Sequence, residues 1–238
     1  MSATESAVSV PYGGGAFEAR LFLPPGEASA PGILFLHDIL GVTRTVAEDC
    51  RELAREGFVV LSPNLYSLLG RERYCIRQFF TPASWRNDAD QPAIAETAAL
   101  VEWLKAHPRV DPDRLGMFGA CLTGGYVLHM AKRADMRAPV FHHHSLGVFG
   151  SGFQDRDARE VVNTLQGHFA EGDRVFCPKR RAEALRAQLG EKLEFIWHEG
   201  VGHGLLSYER ANPASRRAWA EMKRFYREHL REERVTTA

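Results

Sequence analysis

The chain has 238 residues, of which 45% are hydrophobic, and its 30 acidic and 30 basic side chains cancel to a formal net charge of zero. That length and apolar content suffice for a full core and fit one α/β domain as readily as two small ones, of which a single domain spanning 1–238 is the expectation, and the charge balance excludes a global field attracting nucleic acid or an anionic membrane. Residues 1–10 lack a basic stretch followed by an apolar core, and no apolar run approaches the roughly 20 residues that span a bilayer, so the expectation is a cytoplasmic protein. Cys50, Cys75, Cys121 and Cys177 are widely spaced with no C-x-x-C pair, which reads as four reduced thiols.

Taken in chain order, Ala16 to Leu23 alternates like an early antiparallel strand, whereas Gly32–Leu36 and Phe58–Leu61 are short continuous apolar runs, as in parallel strands covered on both faces. Between them, Val46, Ala47, Cys50, Leu53 and Ala54 have helical spacing over 45–56, ending before Gly57. Residues 64–90 are long and weakly periodic, rich in aromatic side chains and arginines, and are expected to form an excursion over the active-site end. A second helical pattern runs from Ile94 to Ala106 and stops at Pro108, and Arg114–Phe118 reads as a buried strand leading to a helix from Tyr126. Strand patterns follow at Ala138–His142, His168–Ala170 and Leu193–Trp197, with helices at Lys179–Leu189 and Pro213–Leu230. The alternation over a core of about 16–231 predicts an α/β fold with a mostly parallel twisted sheet, helices on both faces and no large cap, its reactive groups at the carboxyl ends of the strands.

The run Gly119-Ala120-Cys121-Leu122-Thr123-Gly124-Gly125 sits at such a strand end, and small residues there suit a nucleophile elbow. It departs from G-x-S-x-G in having cysteine for serine and Thr123 at the last glycine position. A helix N-terminus favours an anionic sulfur. A cysteine nucleophile needs a base and an orienter. His203, in Gly200-Val201-Gly202-His203-Gly204 after the last strand pattern, is the candidate base. Asp173, just after the His168–Ala170 pattern, is the candidate orienter, with Glu171 its nearest competitor. The chain order nucleophile, acid, histidine is that of α/β-hydrolases. The oxyanion donors in that scheme are the backbone N–H groups of Leu122 and Ile39, and Asp38 sets a carboxylate beside them.

These residues resemble the dienelactone hydrolase (carboxymethylenebutenolidase) family from Phe17 to Leu230. The resemblance rests on His37-Asp38-Ile39-Leu40-Gly41-Val42, the Ala54–Tyr66 stretch, the cysteine elbow, Asp173 and Gly202-His203-Gly204. It implies an α/β-hydrolase domain without a cofactor that opens a small ester or lactone through an acyl-thioester on Cys121, with His203 and Asp173 completing the triad. It also implies a carboxylate partner for the cysteine, at the position of Asp38 here. The family's best-known members carry an arginine shortly after the histidine for a substrate carboxylate. This sequence has Leu205-Leu206-Ser207-Tyr208 there, which leaves Arg71, Arg73 or Arg77 as alternative forks and Tyr74 and Phe79 as an apolar wall. The implied partner is a small-molecule substrate, with the protein a monomer or homodimer. Other readings on the same residues are a thioesterase or other acyl hydrolase, and a noncatalytic ligand-binding or redox-sensing protein. His142, His143 and His144 are consecutive in an extended segment, where side chains alternate between faces, so the three are not expected to converge on a metal.

Overall fold

A computed structural model describes residues 2–80, 91–145, 159–204 and 212–231. Strands β1 (Thr4–Tyr12), β2 (Gly15–Leu23), β3 (Ala30–Phe35), β4 (Val59–Pro63), β5 (Val110–Ala120), β6 (Met136–His142), β7 (Leu165–Ala170) and β8 (Leu193–His198) form one eight-stranded sheet in the order β1-β2-β4-β3-β5-β6-β7-β8. Only β2 runs against the rest, pairing antiparallel with both β1 and β4, and the six strands from β4 to β8 in that order pair in parallel.

The helices are α1 (Arg44–Arg55), α2 (Arg71–Phe80), α3 (Pro92–Lys105), α4 (Gly124–Met130), α5 (Lys179–Leu189) and α6 (Pro213–Leu230). They bury the sheet from both sides, which is why its central strands read as unbroken apolar runs. In β3, Ile33 and Phe35 pack with α1 and α6 side chains such as Leu53, Met222 and Phe225, while Leu34 joins the opposite core with Leu100 of α3 and Val127 of α4. β5 does the same with Phe118 and Met117 respectively. α1 is capped by Thr43, whose hydroxyl accepts the Val46 N–H at 3.3 Å, and α6 by Asn212, which accepts from Ala214 at 2.8 Å.

Two elements differ from the sequence reading. β1 was not foreseen; Gly13 and Gly14, both at positive φ, turn it into β2, but among its residues only Val10 is fully buried, so its alternation is faint. The excursion contains helix α2, whose buried face is just Tyr74 and Gln78, too narrow a stripe to show as helical periodicity. The remainder of the excursion, 81–90, lies outside the described residues, as do 205–208 after the candidate base.

Because β3 and β5 to β8 are parallel, their carboxyl ends share one edge of the sheet. The loop with Ile39, the elbow, Ser145, Asp173 and His203 follow those strands in turn. The sequence separation between these groups is therefore bridged by topology alone.

Candidate active site

Cys121 has φ +54°, and among the described residues only His143, at +32°, shares a positive φ without being glycine. A side chain with a Cβ is strained there, so the surroundings must hold it. They do so by close approach. A Cβ on Gly119 would lie 2.6 Å from the Thr123 carbonyl oxygen, and one on Gly124 would lie 2.5 Å from the His144 Cβ. Thr123, which departs from the usual elbow pattern, pins the turn. Its hydroxyl accepts the Ala120 N–H at 3.0 Å and donates to the Ala120 carbonyl at 3.1 Å. The elbow then continues through a short 3-10 turn, Cys121–Thr123, into α4. Cys121 is buried, with 8% of its surface exposed, and its sulfur lies 3.4 Å from the Ser145 hydroxyl.

The loops after β7 and β8 are stitched together. The Gly172 N–H donates to the Val201 carbonyl at 2.8 Å, and a Cβ on Gly172 would sit 2.8 Å from that same oxygen. This contact brings Asp173 to His203, with Oδ2 2.5 Å from Nδ1, while Oδ1 accepts the Phe176 N–H at 3.0 Å. A carboxylate on Nδ1 fixes the proton there and leaves Nε2 for the sulfur. The His203 ring is clamped between His143 and Phe176, each with its ring centroid 4.5 Å away.

The electrostatics follow from this packing. Burial alone would lower the His203 pKa, but its hydrogen bond to Asp173 and the neighbouring Cys121 sulfur outweigh burial and raise it to about 9. Burial would raise the Asp173 pKa, yet the His203 hydrogen bond and the Cys177 and Phe176 amides hold it below its ordinary value. His143, fully buried and next to a cationic ring, is lowered to about 3 and is therefore neutral. Nδ1 is taken by Asp173, which leaves Nε2 as the nitrogen available to the neighbouring Cys121 sulfur.

The loop after β3 is braced rather than free. His37 Nε2 accepts the Leu65 N–H at 3.0 Å, which leaves Nδ1 to donate to the Asp38 carbonyl at 2.6 Å. Tyr66 donates its O–H to the Ile39 carbonyl at 2.8 Å, and the Ile39 N–H makes no hydrogen bond among the described residues. The Leu122 N–H lies in the first turn of the 3-10 segment, where amides lack partners within the helix.

The dienelactone hydrolase family model matches residues 17–230. The chain belongs to this family of carboxylic ester hydrolases. It is 26% identical over 208 residues to a carboxymethylenebutenolidase of Pseudomonas sp. (strain P51), covering 84% of this chain and 82% of the relative. Among solved structures it resembles the dienelactone hydrolase of Anabaena variabilis, with a TM-score of 0.72, 17% identity and coverage of 97% and 100%. It also resembles a dienelactone hydrolase-like promiscuous phosphotriesterase from metagenomic libraries, with a TM-score of 0.77, 18% identity and the same coverage. At these identities the solved structures speak to the fold.

Other residues singled out in the sequence take different places. Asp38 Oδ1 accepts the Leu40 N–H at 2.8 Å, so this carboxylate folds onto its own loop. Glu171 accepts the Gly200 N–H at 2.9 Å and braces the turn after β8. Tyr74 is buried with its hydroxyl 3.2 Å from that of Tyr126 on α4, and Arg77 forms a two-pronged ion pair with Glu96, both contacts at 2.6 Å. The three consecutive histidines diverge, His142 packing on Phe118, His143 on His203 and His144 on Phe141. Among the described residues no three His, Cys, Asp or Glu side chains gather as a metal site. The sequence reading missed Ser145, the His143–Phe176 clamp and the Tyr66 brace. Only their position just beyond strand ends marks them in the sequence.

Proposed function

We propose that this family member hydrolyses a small carboxylic ester or lactone with Cys121 as nucleophile, His203 as proton carrier and Asp173 as orienter. The observation that carries the reading is geometric: the Asp173 carboxylate lies 2.5 Å from His203 Nδ1 beside a strained elbow cysteine at φ +54°, and these neighbours raise the imidazole to about 9. A histidine raised that far is protonated near neutral pH, which favours a thiolate–imidazolium pair over a neutral dyad.

In the first half of the reaction the sulfur attacks the acyl carbon, and the carbonyl oxygen takes the negative charge between the Ile39 and Leu122 N–H groups. The carbon–oxygen bond to the leaving group then breaks, and His203 Nε2 gives its proton to the departing oxygen. In a lactone that oxygen stays tethered to the acyl group. Neutral His203 next takes a proton from water, whose oxygen attacks the thioester. The tetrahedral intermediate expels the thiolate, which regenerates the ion pair with protonated His203, and the carboxylic acid released loses its own proton to solvent. Asp173 keeps its charge throughout, fixing the tautomer and balancing the imidazolium.

The test compares turnover of dienelactone and of a neutral aryl ester by the parent chain and by Cys121→Ala. Turnover of either substrate that the variant loses supports the cysteine mechanism and assigns the substrate class. Equal turnover by parent and variant removes Cys121 from the chemistry.

A further inference from the structure

Ser145 touches the nucleophile twice. Its backbone N–H donates to the Cys121 carbonyl at 2.8 Å, and its hydroxyl lies 3.4 Å from the Cys121 sulfur, inside the hydrogen-bond range for sulfur. Ser145 is buried, 2% exposed, and belongs to the segment that follows β6, a strand that contributes neither base nor orienter. The sulfur thus has this hydroxyl as a neighbour besides the His203 imidazole, and one oxygen of the Asp38 carboxylate is taken by the Leu40 amide. The backbone bond holds the Ser145 main chain against the elbow, within reach of the sulfur.

We propose that Ser145 is a catalytic residue whose O–H donates to the Cys121 thiolate and stabilises the anionic half of the Cys121–His203 pair. A thiolate has no proton to give, so once the sulfur is anionic the hydroxyl can only be the donor, and a hydrogen bond to an ion is about twice as strong as one between neutral groups. When the sulfur bonds to the acyl carbon its charge moves to the carbonyl oxygen, and the Ser145 bond weakens as the backbone amides take over. The serine therefore favours the resting thiolate and is handed off during attack. Stabilising the ground-state anion also lowers its intrinsic nucleophilicity, so the gain is confined to pH values where the thiol would otherwise be protonated.

The inference rests on Cys121 being the nucleophile, and its test does not require turnover. Alkylation of Cys121 by iodoacetamide is followed from about pH 5 to pH 10 by mass spectrometry of the tryptic peptide 115–132, in which Cys121 is the only cysteine. Ser145→Ala is expected to move the midpoint up by about one pH unit, which is about a 10-fold slower reaction on the acid side, while the rate on the alkaline plateau equals or exceeds the parent's. Ser145→Thr, which keeps a hydroxyl, restores the parent midpoint. A Ser145→Ala curve that overlays the parent's, with unchanged thermal unfolding, overturns the assignment. A uniform slowing at every pH also overturns it, because that is what a merely structural role produces. Failure of the nucleophile assignment itself reads differently, as undiminished hydrolysis by Cys121→Ala.

Discussion

Burial of neutral histidines beside the active site makes the fold sensitive to acid well above the carboxylate range. His143 and His144 are fully buried, neither ring has a hydrogen-bond partner among the described residues, and burial, with smaller contributions from nearby charges, lowers each to about 3. A histidine lowered in the fold contributes stability above its unfolded value of about 6.5, and that contribution is lost as pH falls below it, since the unfolded chain binds the proton first. From pH 7 to pH 5 each ring costs about 2 kcal/mol, or about 4 kcal/mol for the pair. His203 has the opposite sign. Raised to about 9, it returns roughly 1 kcal/mol over the same interval. The net loss of about 3 kcal/mol is a large part of the 5–15 kcal/mol that holds a typical domain folded. His37, His168 and His198 are lowered by burial as well and push in the same direction. Urea unfolding at pH 7, 6 and 5 measures this directly, provided the slope with denaturant stays constant. His144→Phe should remove about 2 kcal/mol of the loss between pH 7 and pH 5. A stability that is flat from pH 7 to pH 5 refutes the claim that these rings are buried and neutral.

Asp173→Asn removes the charge that balances the His203 imidazolium, and kcat is expected to fall by about 1,000-fold or more with the alkaline limb of the pH profile moving down from about 9. Tyr66→Phe frees the Ile39 carbonyl and loosens the loop that carries one oxyanion donor; steady-state kinetics should show kcat lowered about 10-fold with KM little changed. Gly124→Ala forces a methyl against the His144 backbone, and thermal unfolding should register a loss of about 2 kcal/mol.

How much of this was legible in the sequence depends on what each feature leaves in the chain. Strands β3 and β4 declare themselves because both faces are apolar, and α1 and α6 because their buried stripes are wide and their N-termini capped. β1 hides because an edge strand keeps most side chains in water, and α2 because two buried residues make no period. At the site, Cys121, Asp173 and His203 could be singled out by residue type and by order along the chain, and the fold brings Asp173 onto His203 through a glycine contact between two loops. Arg77 looked available as a fork, yet Glu96, nineteen residues away, occupies both of its terminal nitrogens. Asp38 looked placed for the sulfur, yet its carboxylate turns back onto Leu40 within the same loop. Such pairings depend on side-chain directions that spacing does not encode. Ser145 was invisible for the same reason, being an ordinary serine until β6 sets it beside β5.

The most direct test of the account is to mix the chain with an activated aryl ester, quench in acid within the first turnover, and weigh the peptide 115–132. The account predicts an acyl mass on Cys121 that disappears on incubation at neutral pH, and a Cys121→Ala variant with neither adduct nor turnover. Undiminished hydrolysis by Cys121→Ala would contradict it.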